Sequence, residues 1–288
     1  MTLPRTDTLV TYAAGSIEET AAVLHMQPLG DRLAVLVDRT PVHPVDAGWP
    51  DQGPDSAMLV ANGEAIEIVD AVVGATDGET LFAGTDVPVR KGTEGWAFVV
   101  VHLVAADAAV AEGDTVMLAV EADQRQALSV GHTACHLASL ALNRALAGAW
   151  RKEGRTDALG APDFDGTAIE TSTITPNGSV DEFRVGKSVR KAGFDPAALD
   201  DLAALGHEVD RILAGWTTTG AVVRIDADGE GLTDRRWWVA DLPEGAARIP
   251  CGGTHVRSLS ELGAVTVTLT RRELEGAVGV TMTTRASG

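Results

Sequence analysis

The sequence predicts an α+β protein in two parts: a small β-barrel-like domain over residues 1–120, then an α+β domain over residues 121–288. Three observations carry this reading. Short β-branched runs alternate with Gly, Pro, Asn and Asp clusters through the first part. A long stretch of helical periodicity begins at about residue 121. Beyond it, strand-like runs surround one more amphipathic helix.

In the first part the runs are "TLVTY" (8–12), "LAVLV" (33–37), "AIEIVDAVV" (65–73), "AFVVVHLV" (97–104) and "TVMLAV" (115–120). They are separated by "HPVDAGWPDQGPDS" (43–56) and "GATDGET" (74–80), a spacing that fits a small barrel or sandwich. The stretch "EADQRQALSVGHTACHLASLALNRALAGAW" then reads as a broadly apolar helix marked by Leu128, Leu137, Leu140, Ala141 and Leu142. A loop-rich stretch over 151–167 leads to strands at "AIETSTI" (168–174) and "VDEFRV" (180–185). "DPAALDDLAALGHEVDRILAG" (195–215) reads as one amphipathic helix, with Asp195 as N-cap, Pro196 at the first position and Gly215 at its end. The remainder alternates as strands: "AVVRIDA" (221–227), "RRWWVA" (235–240), "AVTVTLTRR" (264–272) and "AVGVTMTTR" (277–285).

With 288 residues, 45% of them apolar, the chain can build a sizeable core without covalent staples. Its two cysteines do not make a disulfide framework. No basic start followed by an apolar run opens the chain, and no apolar stretch reaches the roughly 18–20 residues of a membrane span. A soluble, cytoplasmic protein without a membrane partner is expected. The net charge of −18 is uneven: residues 1–120 hold 18 acidic against 5 basic side chains, and the rest 23 against 18. Such a protein repels a phosphate backbone at long range, so a nucleic acid would meet the second half.

The chemistry concentrates in two short motifs. In "SVGHTACHLASLALNRAL" (129–146), His132 and His136 lie four apart and project from one helical face, their Cβ atoms about 5–6 Å apart. Alone, such a pair is as readily explained by packing. In "IPCGGTHVRSLSELG" (249–263), Cys251 and His255 lie four apart around a Gly-Gly turn. Thiolate and imidazole together suit Zn²⁺, and His132, His136, Cys251 and His255 make a tetrahedral set for one ion per chain. Residue 133 is Thr, so the general base of an HExxH protease is missing. Four protein donors are compatible with a structural zinc, or with a hydrolytic zinc whose coordination opens for substrate; spacing leaves both open.

Together "GHTACHL" and "CGGTHVRSLSELG" resemble the zinc motifs, HxxxH and CxxxH, of the editing domain of alanyl-tRNA synthetases and the freestanding AlaX-type proteins, with a related domain in threonyl-tRNA synthetases. "VDEFRVGKSVRKAGFD" (180–195) is similar to a segment of some freestanding members, so the resemblance covers most of the chain. It implies an editing-type second domain and hydrolysis, in trans, of the ester joining Ser or Gly to tRNA(Ala). It implies His132, His136, Cys251 and His255 as zinc ligands and Thr133, the helix threonine whose hydroxyl lies near the substrate, as the candidate catalytic residue. Gly252, Gly253 and Thr254 would bind the aminoacyl ester. The expected partner is the acceptor end of a tRNA, met through the second half.

Two departures stand out. The glycine-rich "GGQPxDxG" loop of freestanding relatives is approached only by "AGWPDQG" (47–53), one residue shorter and with Trp49 in place of Gln. The glutamine-containing loop after the first zinc motif is replaced by "APDFDGTAIETS" (161–172).

"FRVGKSVRK" (183–191) gathers Arg184, Lys187, Arg190 and Lys191, of which Arg184 and Lys187 are candidate phosphate contacts. Arg235 and Arg236 beside Trp237 and Trp238, and Arg257, extend that reading to a single-stranded end; the bland alternative is solvated charge and a core tryptophan. Cys135 reads as a small buried residue, His102 as a strand residue, His43 as a loop residue and His207 as surface. No Walker lysine is present, so no ATP-dependent activation and no charging of tRNA are expected. The rival functions are a zinc hydrolase of another small ester or amide, and a non-catalytic structural-zinc module that binds tRNA.

Overall fold

Turn chemistry organises the first sheet in the computed structural model, which describes residues 3–288. Asn62 and Gly63 both adopt positive φ, the geometry a two-residue hairpin asks of an Asn-Gly pair. They join β5 (Ala57–Ala61) to β6 (Glu64–Ile68) with Ala61 opposite Glu64. The two-residue loop Gly30–Asp31 joins β2 to β3 with positive φ at Gly30 alone. The other strands of this part are β1 (Leu9–Val10), β2 (Glu18–Leu29), β3 (Arg32–Val37), β4 (Arg39–Thr40), β7 (Asp70–Thr76), β8 (Leu81–Ala83), β9 (Ala97–Ala105) and β10 (Thr115–Val120).

The chain divides into two units: one holds the residues up to Arg125 with Ala227–Arg236 and Gly252–Thr254, the other Gln126–Asp226, Trp237–Cys251 and His255–Gly288. In the first unit, eight strands form one sheet in the order β6-β5-β10-β2-β3-β9-β7-β8. This order is open, not the closed barrel the strand spacing suggested. The expected run 65–73 breaks at Val69, which is exposed. Its first half pairs with β5 and its second half with β9, so the chain itself, rather than a ladder, links the edge strand β6 to β7, one strand in from the other edge.

β3 and β9 are buried on both faces. Val35 and Val37 pack with Leu59, Phe98 and Leu118, while Ala34 and Leu36 pack on the opposite side with Leu3, Val99 and Val101. That is why both strands read as continuous apolar runs instead of alternating ones. The Pro- and Gly-rich loop that follows is fixed by a buried guanidinium. Arg125 pairs with Asp55, Nε to Oδ1 at 2.9 Å, and its Nη2 donates to Pro41 O at 2.7 Å. The backbone N–H of His43 donates to the same carboxylate at 2.6 Å.

The second unit contains α1 (Ala122–Ala145, from Gln126 onward), α2 (Asp165–Ala168), β11 (Ile169–Thr175), β12 (Gly178–Val185), α3 (Lys187–Ala192) and α4 (Leu202–Thr217). It continues with β13 (Val223–Ala227, as far as Asp226), β14 (Arg236–Leu242, from Trp237 onward), β15 (Gly245–Pro250), β16 (Val265–Leu274) and β17 (Ala277–Ala286). The order β11-β12-β17-β16 is antiparallel throughout, and β13-β14-β15 form a second, smaller sheet. One core joins α1 (Leu137, Leu140, Leu142), α4 (Val209, Leu213, Trp216) and both sheets (Phe183, Met282, Trp238). The helix expected over 195–215 is two elements. Asp195 caps only a 3-10 turn at Pro196–Leu199, and Asp201 caps α4, accepting from Ala204 N at 2.9 Å. Gly215 lies inside α4; the chain turns out at Gly220, whose φ is +60°. Among the described residues no helix is long and apolar enough to cross a membrane.

Gly131 sets the seat of α1. A Cβ there would stand 2.3 Å from Thr175 O and 2.6 Å from Gly178 O, both backbone atoms of the β11–β12 turn. The same turn donates Asn177 N to Ala127 O at 2.8 Å. Only glycine lets helix backbone and turn approach this closely.

His102 carries a pH dependence. It is fully buried, with Nε2 2.9 Å from Thr40 Oγ1 and Nδ1 3.2 Å from Val35 O, and burial holds its pKa down at about 4. The unfolded chain therefore takes up a proton before the folded chain does. Stability is complete above pH 6.5 and falls as the pH drops toward 4, by about 2 kcal/mol at pH 5 from this residue. Urea unfolding at pH 7 and pH 5 should show that loss, and His102→Asn should flatten it while lowering stability at both.

Candidate metal centre

The site grows from α1. The fixed position of Gly131 leaves the next residue, His132, and its neighbour one turn on, His136, projecting from one side, with ring centroids 5.0 Å apart. The fully buried Trp238 of β14 packs its ring 5.1 Å from that of His136. The β14–β15 hairpin places Ile249 opposite Trp238 and Pro250 opposite Trp237, so Cys251 follows directly from the end of β15. His255 is held by what comes after it. Ser258 and Glu261 form a capping box, in which Glu261 Oε1 accepts from Arg257 N at 2.9 Å and Ser258 N at 2.8 Å.

The four donors converge. Their ligand atoms all lie within 4.8 Å of one another. Cys251 Sγ is 3.4 Å from His132 Nε2 and 3.2 Å from His255 Nε2. Ligand arms of about 2.0–2.3 Å at tetrahedral angles place neighbouring donors roughly 3.3–3.8 Å apart, close to the separations of Cys251 from His132 and His255. The chemistry of the set agrees: three imidazoles and one thiolate are borderline-soft donors.

Thr133 connects the helix to the second motif. Its buried Oγ1 lies 2.8 Å from Ser129 O, 3.1 Å from His255 Nδ1 and 3.3 Å from Val256 N. Where the hydroxyl's proton goes to the Ser129 carbonyl, its lone pairs accept from Val256 N–H and from a protonated His255 Nδ1, the tautomer that leaves the Nε2 lone pair facing the cluster. Sequence spacing did not reveal this.

Arg184 lies on β12, exposed, with Nε 3.9 Å from Glu170, and Lys187 opens α3, also exposed; neither is among the donors. Gly252, Gly253 and Thr254 belong to the first unit. There Thr254 is gripped by Gln52, whose Oε1 accepts from Thr254 N at 3.1 Å and whose Nε2 donates to Thr254 Oγ1 at 3.0 Å. Gln52 is the partner of Thr254 that sequence reasoning passed over. Its signal was present in the shortened loop, where a glutamine stands three positions after Trp49.

In the tryptophan–arginine cluster the core tryptophan of the bland alternative is found, whereas Arg236 is not a solvated charge. Arg236 is buried and donates to Gly231 O at 2.5 Å and Asp234 O at 3.2 Å, and Trp238 is core. Trp237 is covered by Arg248, whose guanidinium carbon lies 3.7 Å from the ring centroid. Cys135 is buried as expected, but within 3.5 Å of the buried Asp181 carboxylate, and burial with that charge pushes its thiol well above the usual range.

No protein-family model matches the chain. It is similar to the alanine–tRNA ligase of Frankia alni, 28% identical over 260 residues, covering 87% of this chain and 25% of the ligase. The ligase of Thermobifida fusca is 26% identical over 241 residues, covering 83% and 22%. The alanyl-tRNA editing protein AlaX-M of Pyrococcus horikoshii is 26% identical over 237 residues, covering 81% of this chain and 78% of that protein. Alanyl-tRNA synthetases and an alanyl-tRNA editing protein are its homologues. The chain spans about a quarter of the length of the ligases it matches. The resemblance carried by the two motifs is thereby matched over most of the chain.

Cobalt(II) reports the donor set directly. Titration of the metal-free chain should give a thiolate-to-cobalt charge-transfer band saturating at one ion per chain, and Cys251→Ser should remove the band while retaining weaker d–d absorption.

Proposed function

We propose that this chain is an alanyl-tRNA editing hydrolase that removes Ser or Gly from wrongly charged tRNA(Ala), using one Zn²⁺ held by His132, His136, Cys251 and His255. The convergence of these four donors, in a chain whose homologues include an alanyl-tRNA editing protein, carries the reading. The reaction adds water across the ester and releases the free amino acid and the 3′ ribose hydroxyl of the tRNA. When bound, the ion supplies Lewis-acid polarisation of the ester or orientation of a water.

The chain's own residues do the rest. Thr133 acts as a positioning residue, holding His255 with its Nε2 lone pair toward the donors. Gly252, Gly253 and Thr254 bind the aminoacyl group, and Gln52 fixes the Thr254 hydroxyl and backbone. Arg184 and Lys187 offer exposed cations to phosphates of the acceptor end, and the substrate arrives already charged, with no nucleotide activation in the cycle. One observation favours a second reading: four protein donors are also the complement of a closed, structural zinc, in which case the chain binds tRNA without turnover.

Deacylation of Ser-, Gly- and Ala-tRNA(Ala) by protein of measured zinc content separates the two. Hydrolysis of the Ser or Gly ester with the Ala ester spared is the expected result. Cys251→Ala should lose both metal and activity, whereas Thr133→Val should keep the metal and lose roughly 10–100-fold in kcat/KM, as removal of a ligand's hydrogen-bond partner does. A fully loaded protein that leaves every ester intact contradicts the proposal and leaves the structural metal.

A further inference from the structure

Two basic segments of the second unit, nearly thirty residues apart in sequence, lie side by side. The first is "WRKEGR" (150–155), with Arg151, Lys152 and Arg155 against one acid; the second is "RVGKSVRK" (184–191), with four cations and no acid. Together they hold seven of the chain's 23 Lys and Arg. Trp150 and Phe194 pair across the two segments, their rings 5.3 Å apart. Arg151 N donates to Gly193 O at 3.0 Å, and Lys152 Nζ donates to Lys191 O at 3.0 Å. Gly193 makes the approach possible: its φ is +115°, and a Cβ there would meet the Lys152 side chain at 2.9 Å.

A groove of about 510 Å³ opens here, lined by Trp150, Arg151, Lys152, Arg155 and Pro162 among others. Its cations are exposed. Arg151 meets Asp195 at 2.5 Å and Arg155 meets Asp163 at 2.6 Å, but among the described residues no ion pair engages Lys152, Lys187, Arg190 or Lys191. The buried Nε1 of Trp150 has no acceptor among the described residues. In a chain of net charge −18, unneutralised lysines gathered at a groove are a local exception that favours a polyanion.

We infer that this groove and the α3 cations dock the sugar–phosphate backbone of the RNA beyond its reacting end. The inference rests on the function proposed above and adds a surface to it. Position supports the division of labour: Ala145, at the end of α1, lies about 14 Å along the helix axis from His136, and the groove begins just past it. Its cations therefore touch RNA away from the ester and act on binding, not on the chemical step. Phosphate contacts of this kind are read by lysine and arginine without regard to base sequence.

The test uses the full chain carrying Arg151→Gln, Lys152→Gln and Lys191→Gln together, exposed positions whose neutralisation leaves no buried charge unpaired. Arg155 is left in place because it faces the buried Asp163. Binding of uncharged tRNA(Ala) is measured across salt concentrations beside wild type and Arg32→Gln, a surface cation of the first unit. Affinity should fall roughly tenfold or more at low salt, and the slope of log affinity against log salt should shrink by about 2 to 3. In deacylation, KM should rise with kcat at saturation unchanged, and Arg32→Gln should behave as wild type. Unchanged affinity and slope in the triple variant, with wild type binding and deacylating normally, overturn the groove and leave the function standing. Wild type that neither binds nor deacylates tRNA overturns both. Should the triple variant melt at a lower temperature, the single variants Lys152→Gln and Lys191→Gln carry the same comparison, and a slope unchanged in each overturns the inference.

Discussion

The second unit depends on one close approach. At Gly131 the backbone of α1 rests against the carbonyls of Thr175 and Gly178, with no room for a methyl group. That contact, with the Asn177–Ala127 hydrogen bond, fixes how far along and how far around its axis α1 sits. His132 and Thr133 are the next two residues, so their directions follow immediately. His136 is one turn further on, where Trp238 limits its ring. A metal centre needs its donors placed to a few tenths of an ångström. In this candidate site the directions of His132 and His136 come from backbone packing and a buried indole.

The same economy governs the second motif. Cys251 and His255 are separated by residues free to turn tightly, and each is held from outside the motif. Cys251 is delivered by the β14–β15 hairpin, and His255 by Thr133 on one side and the Ser258–Glu261 capping box on the other. Thr133 is therefore the residue through which helix and loop share one geometry. In the first unit, comparable control of a loop falls to buried polar groups. Arg125 and Asp55 fix the segment from Pro41 to Asp55, and Gln52 within it grips Thr254 through two hydrogen bonds. Buried polar groups so fully partnered constrain a loop that Pro and Gly alone would leave free.

What the sequence disclosed and withheld follows from the range of each interaction. Side-chain identity and i, i+4 spacing are local, so the four side chains that the structure brings together could be named from the sequence. The α+β class was legible too, because β-branched runs and a long apolar helix are local signals. The closed barrel was not obtained, because the break at Val69 depends on two different partner strands. The helix over 195–215 divided at Asp200 and Asp201, where a second capping carboxylate competes with continuation; both aspartates are visible in the sequence, but apolar periodicity masks them. Gln52 and the groove at 150–155 were missed for a common reason. Each becomes a feature only when tertiary contact brings a distant segment beside it.

The charge distribution has the same logic. An overall acidity that would exclude nucleic acid is a sum over the whole surface, and a partner meets only one part of it. Exposed lysines that no ion pair engages among the described residues are where that sum says least.

The most direct measurement of the central claim is zinc K-edge X-ray absorption on the purified, zinc-loaded chain. The account predicts one sulfur at about 2.3 Å and three nitrogens at about 2.0–2.1 Å, with the sulfur shell lost in Cys251→Ala. A shell of nitrogen and oxygen alone, or a sulfur contribution that survives that substitution, would contradict it.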